Sequence, residues 1–382
     1  WVSAVLALTV VAAPVQARFE PADRFQLRAS LDEQYDNNLF RLADEQPSTG
    51  FSRWDWLTTP QLQARYQNEF SRQQLLLDGR FFAPRFANNS QLDYQGHQWD
   101  SRWIGRVGDL WHPGLGYRSS RTLASFTDVA LGVKDMIDED ATSASLMLGG
   151  ERKARIGVEG RWGDKNHDAR RYLDLQDRMW AVTLGWRTLL GSDLGLRHEQ
   201  RGIRYDDQQH LGIDRDYRQQ RTTLQLSWPL SDKLTWKADV GYLRWIFDAE
   251  APDRSARIGG SELAWQVSDQ LSLSASGRRD ADEPGDNLQI SMSDRYRLAG
   301  NWAWSDKQVI ELSWERQSKD YGLLLSQQER KDVTDSVRGQ WNWSPWRMLT
   351  ASLYWQGERR DSSVQGADYQ DQVTGSTFEL RY

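Results

Sequence analysis

Residues 234–242 read Leu-Thr-Trp-Lys-Ala-Asp-Val-Gly-Tyr. Leu234, Trp236, Ala238, Val240 and Tyr242 alternate with Thr235, Lys237, Asp239 and Gly241. Successive side chains point to opposite faces of a strand, so this period of two predicts a strand with one apolar and one polar face. The pattern returns along the chain. It is seen at Leu75-Leu77-Gly79-Phe81, Ile156-Val158-Gly160-Trp162, Trp180-Val182-Leu184-Trp186, Leu263-Trp265-Val267, Ile310-Leu312-Trp314 and Leu349-Ala351-Leu353-Trp355.

The connections alternate as well. Short ones fall at Ser71-Arg72, Asp109 to Pro113, Arg152-Lys153, Leu190 to Asp193, Pro229 to Lys233, Ser268 to Gln270, Ser305 to Lys307 and Ser344 to Trp346. Long polar stretches lie between them, such as Asp164 to Asp174, Ile203 to Asp216 and Asp280 to Ile290. Trp228, Trp265, Trp304 and Trp343 each lead into a short turn and stand 37 to 39 residues apart. That spacing marks a repeated two-strand unit. A propeller blade has a similar period but needs four short strands in the window, and only two longer ones fit. Short turns on one side and long loops on the other predict an outer-membrane β-barrel. The Trp residues beside the turns suit an aromatic girdle at headgroup level. Eight short turns, with one further strand at each end, predict about 18 strands, with 16 as the alternative.

Composition agrees with that class. The 382 residues include 20 Trp and no Cys. Disulfide frameworks, Cys-ligated metals and Cys nucleophiles are excluded. A formal charge of −6 argues against a nucleic-acid partner. Residues 1–13 are one apolar run, too short to span a bilayer, and Val15-Gln16-Ala17 offers a small-residue cleavage pattern. Residues 1–17 are therefore expected to be a signal peptide without its charged start, and 18–382 a single barrel domain in the bacterial outer membrane.

If the apolar set meets lipid, the intervening set lines a lumen. At 16 to 18 strands that lumen is too wide for side chains to fill. The pore-lining candidates are Arg65, Arg80, Arg102, Arg106, Arg118, Arg161, Lys237, Arg295, Arg297, Arg338 and Tyr354. Inward basic residues outnumber inward acidic ones on this reading, and the missing negative charge falls in loops such as Asp135 to Asp140 and Asp280 to Asp286. A basic ring would select anions, because charge lining a narrow passage sets selectivity. The competing reading is that inward Arg and carboxylates pair across strands and merely solvate the wall. Gln61, Gln63, Gln67, Gln225, Asn301, Asn342 and Gln356 add amide partners suited to sugar hydroxyls or to any wet wall.

Little points to catalysis. His97, His112, His167, His198 and His210 show no metal-binding spacing, and no Gly-x-Ser-x-Gly marks a nucleophile. No cofactor or metal is expected. The acidic run Asp135 to Asp140 lacks the glycine and spacing of a calcium loop and reads as a solvated loop beside lipopolysaccharide.

Tyr35-Asp36-Asn37-Asn38-Leu39-Phe40-Arg41-Leu42 resembles the stretch that opens the EpsL-type exopolysaccharide-biosynthesis outer-membrane proteins, which accompany exosortase (PEP-CTERM) loci of Gram-negative bacteria. The likeness continues through residues 99–108 (WDSRWIGRVG) to Tyr382, and the aromatic C-terminus resembles the terminal signal of bacterial outer-membrane barrels. The resemblance implies a porin-like barrel that exports a secreted polysaccharide. It also implies a periplasmic polysaccharide-export protein and an inner-membrane copolymerase as partners, and no catalytic residues. The expectation is a passive, polar, mildly basic conduit for an anionic polymer, with lipid and lipopolysaccharide around it. The alternatives are a general or small-solute porin and a surface barrel acting through its loops.

Overall fold

The structure, a computed structural model, describes residues 24–44, 46–47, 50–127, 133–149, 153–189, 191–207, 215–248, 253–282, 291–321 and 330–382. The expected signal peptide at 1–17 and His210 lie outside the described residues. The strands are Phe25–Asp36 (β1), Asp55–Phe70 (β2), Gln73–Phe82 (β3), Arg85–Phe86 (β4, a two-residue ladder), Gly96–Gly105 (β5), Trp111–Leu123 (β6), Met136–Leu148 (β7), Ala154–His167 (β8), Leu175–Arg187 (β9) and Asp193–Tyr205 (β10). They continue as Tyr217–Ser231 (β11), Leu234–Phe247 (β12), Arg254–Gln266 (β13), Leu271–Asp282 (β14), Ser291–Ser305 (β15), Gln308–Tyr321 (β16), Arg330–Trp346 (β17), Leu349–Ser362 (β18) and Tyr369–Arg381 (β19). Setting β4 aside, eighteen strands pair antiparallel in chain order, and β1 bonds to both β2 and β19. The sheet is a closed up-and-down barrel, with the predicted number of staves.

Closure is what hydrocarbon demands. An unbonded backbone amide in lipid costs several kcal/mol, so an open edge is not tolerated there. The seam runs from Arg28 opposite Arg381 to Asp36 opposite Val373, and Tyr382 exchanges backbone bonds with Leu27. At the loop end the Asp36–Leu42 stretch ties the seam. Asn38 is buried; its amide donates to the Leu42 and Gln370 carbonyls and accepts from the Leu42 N–H. Arg41 pairs with Asp36 at 3.0 Å and with Asp371 at 3.1 Å. Leu39, Phe40 and Leu42 pack with Phe86 and Leu92 under the first loops.

Facing follows the period of two. Leu196, Leu224, Val240, Leu298, Leu312 and Leu353 are all exposed on the outer face. Aromatic residues bound this band at both ends. Trp186, Trp228, Trp302, Trp343 and Phe378 lie toward the short turns; Trp56, Trp162, Trp180, Tyr242 and Tyr296 lie toward the long loops. The sequence reading placed the Trp residues beside the short turns only, so the second girdle is a correction. Headgroups provide two interfaces, and amphipathic rings settle at each. A polar-lined cylinder with an apolar band between two girdles is an integral barrel of the outer membrane.

Several boundaries move. Strands β11, β15 and β17 run into their short turns, with register shifts at Pro229/Ser231, Ala303/Ser305 and Trp343/Trp346. At the other end β8 extends to His167 and β14 to Asp282, into stretches expected to be loop. The run Asp135 to Asp140 is not a solvated loop: Asp138, Glu139 and Asp140 are in β7, and Asp135 is fully buried. Its carboxylate accepts from His167, from the Ala169 and Arg170 N–H groups and from the Arg170 guanidinium at 2.7 Å. Burial pushes this carboxyl up, but the four donors outweigh it and hold it below the usual carboxylate range.

Two outcomes follow from facing and burial. Leu312→Arg or Leu353→Arg places a charge on the lipid face and should destabilise the barrel by about 2–4 kcal/mol at mid-bilayer depth; urea titration in vesicles checks it. The depressed Asp135 carboxyl contributes stability above its unfolded pKa of about 4, lost as pH falls through its lower folded value. Protection of the Ala169 and Arg170 amides, measured relative to their intrinsic exchange rates at each pH, should be high near neutrality and fall only on strong acidification, whereas Asp135→Asn should lower it throughout.

Candidate functional site

The inner face of the barrel is an extended concave surface that strand parity builds from polar residues. Its main cavity, about 1060 Å3, lies against the inner wall of β7 to β16. That side of the wall is laced by ion pairs. Arg197 meets Glu159 at 3.1 Å and Glu199 at 3.2 Å, and Arg201 grips Asp177 through two bonds of 2.8 Å. Arg221 reaches Asp280 at 2.7 Å, spanning β12 and β13, while Arg278 joins Asp280 to Asp239. The Arg278–Asp239 link crosses β13 over Gly260, which faces inward: a Cβ there would stand 3.3 Å from both side chains.

The predicted lining residues divide into groups. Arg118 is paired with Asp100 at 2.9 Å, and Arg295 and Arg297 share Glu315 at 3.3 and 3.6 Å. Arg65 lies by Gln67, and Arg80 lies over the Phe82 ring. Arg338 bonds Gln340 and sits 5.2 Å from the Tyr354 ring centre. Tyr354 donates to Asp32 at 3.2 Å and lies over Gly375, where a Cβ would collide with the ring. Among the described residues Arg102, Arg161 and Lys237 carry no ion pair. Arg161 faces the lumen at mid-strand, on a smaller cavity near Arg80 and Arg118, and Lys237 faces the main cavity near the short-turn end of β12. Arg106 is a correction: it sits in the short turn after β5, bonded to His112, and is not on the wall.

The excess of positive charge shrinks once the strands are seen. Glu139, Asp193, Asp280 and Asp282 line the main cavity and Asp177 the smaller one, in addition to the inward carboxylates expected from the sequence. Arg201 was missed too, and its parity with Arg197 and Glu199 was the available signal. The wall is also not polar throughout. Ile203, Tyr205, Tyr217, Leu243, Trp245 and Ile258 face inward near the long-loop end and form a buried apolar cluster. Arg215 lies over the Tyr205 ring at 4.3 Å and bonds the Tyr172 carbonyl. Farther round the wall, β13 to β18 present Asn301, Gln340 and Gln356 among Glu262, Glu311, Glu315, Arg297 and Arg338 around a hollow of about 610 Å3. No group of three or more metal-ligating side chains is gathered among the described residues.

No protein-family model matches the sequence, and no curated protein sequence matches it. Solved structures match in fold. Acinetobacter baumannii OccAB3 is 8% identical, with 94% of this chain and 99% of that one covered at a TM-score of 0.54. Pseudomonas aeruginosa OccK2 (OpdF) is 12% identical, with coverages of 94% and 97% and a TM-score of 0.54. P. aeruginosa OpdK, solved with vanillate, is 10% identical, with coverages of 94% and 99% and a TM-score of 0.52. The shared feature is the barrel. The resemblance to exopolysaccharide proteins gains no support from these comparisons, and its most specific residues, Asp36 to Leu42, serve the seam.

If Arg161 and Lys237 are open to the ion path, Arg161→Glu with Lys237→Glu should shift the reversal potential in a potassium chloride gradient toward cation preference. An unchanged potential would place both outside the conducting path.

Proposed function

We propose that the chain is a passive porin-like channel for small polar solutes. The observation that carries this reading is the enclosed polar lumen: opposite charges interleave along the wall, and Arg161 and Lys237 remain without a carboxylate partner. Interleaved pairs keep the passage wet without a large net field, and the spare cations supply a local anion preference. The fold shared with Occ/Opd outer-membrane proteins, one of them solved with vanillate, supports a small-solute cargo. The motive force is the solute's own gradient; no moving part or reaction is invoked.

Passage of a polysaccharide is the second reading. Its support is the strip of Asn301, Gln340 and Gln356, which offers amides to sugar hydroxyls. Under it, a periplasmic polysaccharide-export protein and an inner-membrane copolymerase would be the partners. The first reading expects ohmic conductance from the folded chain in planar bilayers and swelling of loaded vesicles in small anions and sugars. A correctly folded barrel with no conductance would remove both readings. Long acidic oligosaccharides that block more strongly than neutral ones of equal length would turn the assignment to the polymer.

A further inference from the structure

The outer face changes character above the second aromatic girdle. Along β9, β10 and β11 the residues Leu184, Leu196 and Leu224 occupy one cross-strand row on the lipid side. Two rows up, Trp180, Gln200 and Gln220 stand side by side; between them and the leucines, His198 touches the Trp180 ring and bonds Thr222. The next row is Arg178, Gly202 and Arg218. Arg204 follows one row higher, opposite Gln176.

Gly202 makes this row a recess. It stands between two outward arginines on neighbouring strands, roughly 10 Å apart at their Cα atoms by strand spacing. A Cβ at Gly202 would meet only the Arg178 carbonyl, at 4.0 Å, so no side chain packs over the backbone there. Arg178, Arg204 and Arg218 are all exposed. Among the described residues Arg178 and Arg204 have no ion pair, and Arg218 holds Asp248 loosely at 3.5 Å. The other neighbouring carboxylate, Asp206, is bonded by Gln176. Such exposed pairs contribute little and exchange readily.

We propose that Arg178, Arg204 and Arg218 around Gly202 form a docking site for the phosphorylated glucosamine head of lipopolysaccharide. Charge, depth and shape select this occupant. Guanidinium groups bind phosphate bidentately, and three exposed arginines stand within one or two rows of Gly202 on the outer face, with Arg218 only loosely held by Asp248. The acyl chains of the same molecule would run down over Leu184, Leu196 and Leu224, past Trp180 at the interface. The recess lies at the long-loop end of the strands, the side that faces the leaflet where this lipid resides. The site rests on the placement of the barrel in the bilayer and not on what passes through the lumen.

The test uses the full folded chain in detergent, with lipid A, dioleoylphosphatidylglycerol or inorganic phosphate added, and native mass spectrometry as the readout. The wild-type chain should retain lipid A in preference to phosphatidylglycerol at equal phosphate, and inorganic phosphate should not displace it. Arg178→Gln with Arg204→Gln and Arg218→Gln should lower lipid A occupancy by about tenfold or more, at the contribution expected of a surface arginine near anionic lipid. Gly202→Gln, which fills the recess and keeps all three charges, should also lower it. Single-channel conductance of both variants should be unchanged, which separates this site from the channel reading. Equal retention of lipid A and phosphatidylglycerol, displacement by phosphate, or full retention by the folded triple variant would each overturn the proposal.

Discussion

Backbone hydrogen bonding in a medium without water is the constraint on which the rest depends. A strand inside hydrocarbon has no solvent to satisfy its amides, so each must find a neighbour on both sides. Eighteen strands meet that demand only if the first pairs with the last, as β1 does with β19. Buried polar contacts tie the loop end of that seam. Buried Asn38 donates to the Gln370 carbonyl of β19, and Arg41 couples Asp36 on β1 to Asp371 on β19. The residues that resemble an exopolysaccharide family most closely are thus explained by closure, a need common to barrels with any cargo.

Closure in turn creates an interior that side chains cannot fill, and the chain fills its wall with charge. Pairing governs how that charge behaves. Arg197, Arg201, Arg221 and Arg278 are each committed to carboxylates within about 3 Å. Their net field along the axis is small, and removing one partner would leave the other exposed to the lumen. On the proposed channel reading, selectivity would belong to the few cations outside the network. The sequence reading weighed a basic ring against a neutralised wall, and the geometry is closer to the second with a small remainder of the first.

The strands were legible because a lipid face imposes strict alternation, as at Leu234 to Tyr242. The hairpin ends were less so. Pro229, Ser305 and Ser344 carry turn chemistry, yet the ladders continue past them through local irregularities. The acidic run at Asp135 reads as solvated by composition alone, while its burial depends on donors 32 to 35 residues away. Pair partners such as Asp280 for Arg221, 59 residues apart, are set by barrel curvature and cannot be read from spacing. Facing was recoverable from parity; which inward residues meet was not.

One feature of the pattern was present in the sequence and marks a boundary. In β12 the apolar set runs outward through Val240 and Tyr242, then inward through Leu243 and Trp245, with Arg244 outward. The same exchange occurs in β10, where Leu194 and Leu196 face out but Ile203 and Tyr205 face in beside outward Arg204. In β11 inward Tyr217 neighbours outward Arg218 above the outward Leu224, and in β13 inward Ile258 neighbours outward Arg257. The backbone parity never changes; the solvent does. Below the exchange, lipid is outside and water inside, so apolar side chains point out. Above it, headgroups and water surround the strand, and the only place to bury apolar area is the inside, against neighbouring strands and returning loops. The exchange therefore locates the plane where the strands leave hydrocarbon. It falls on four consecutive strands, and it accounts together for the inward apolar cluster and the outward arginines at the same height.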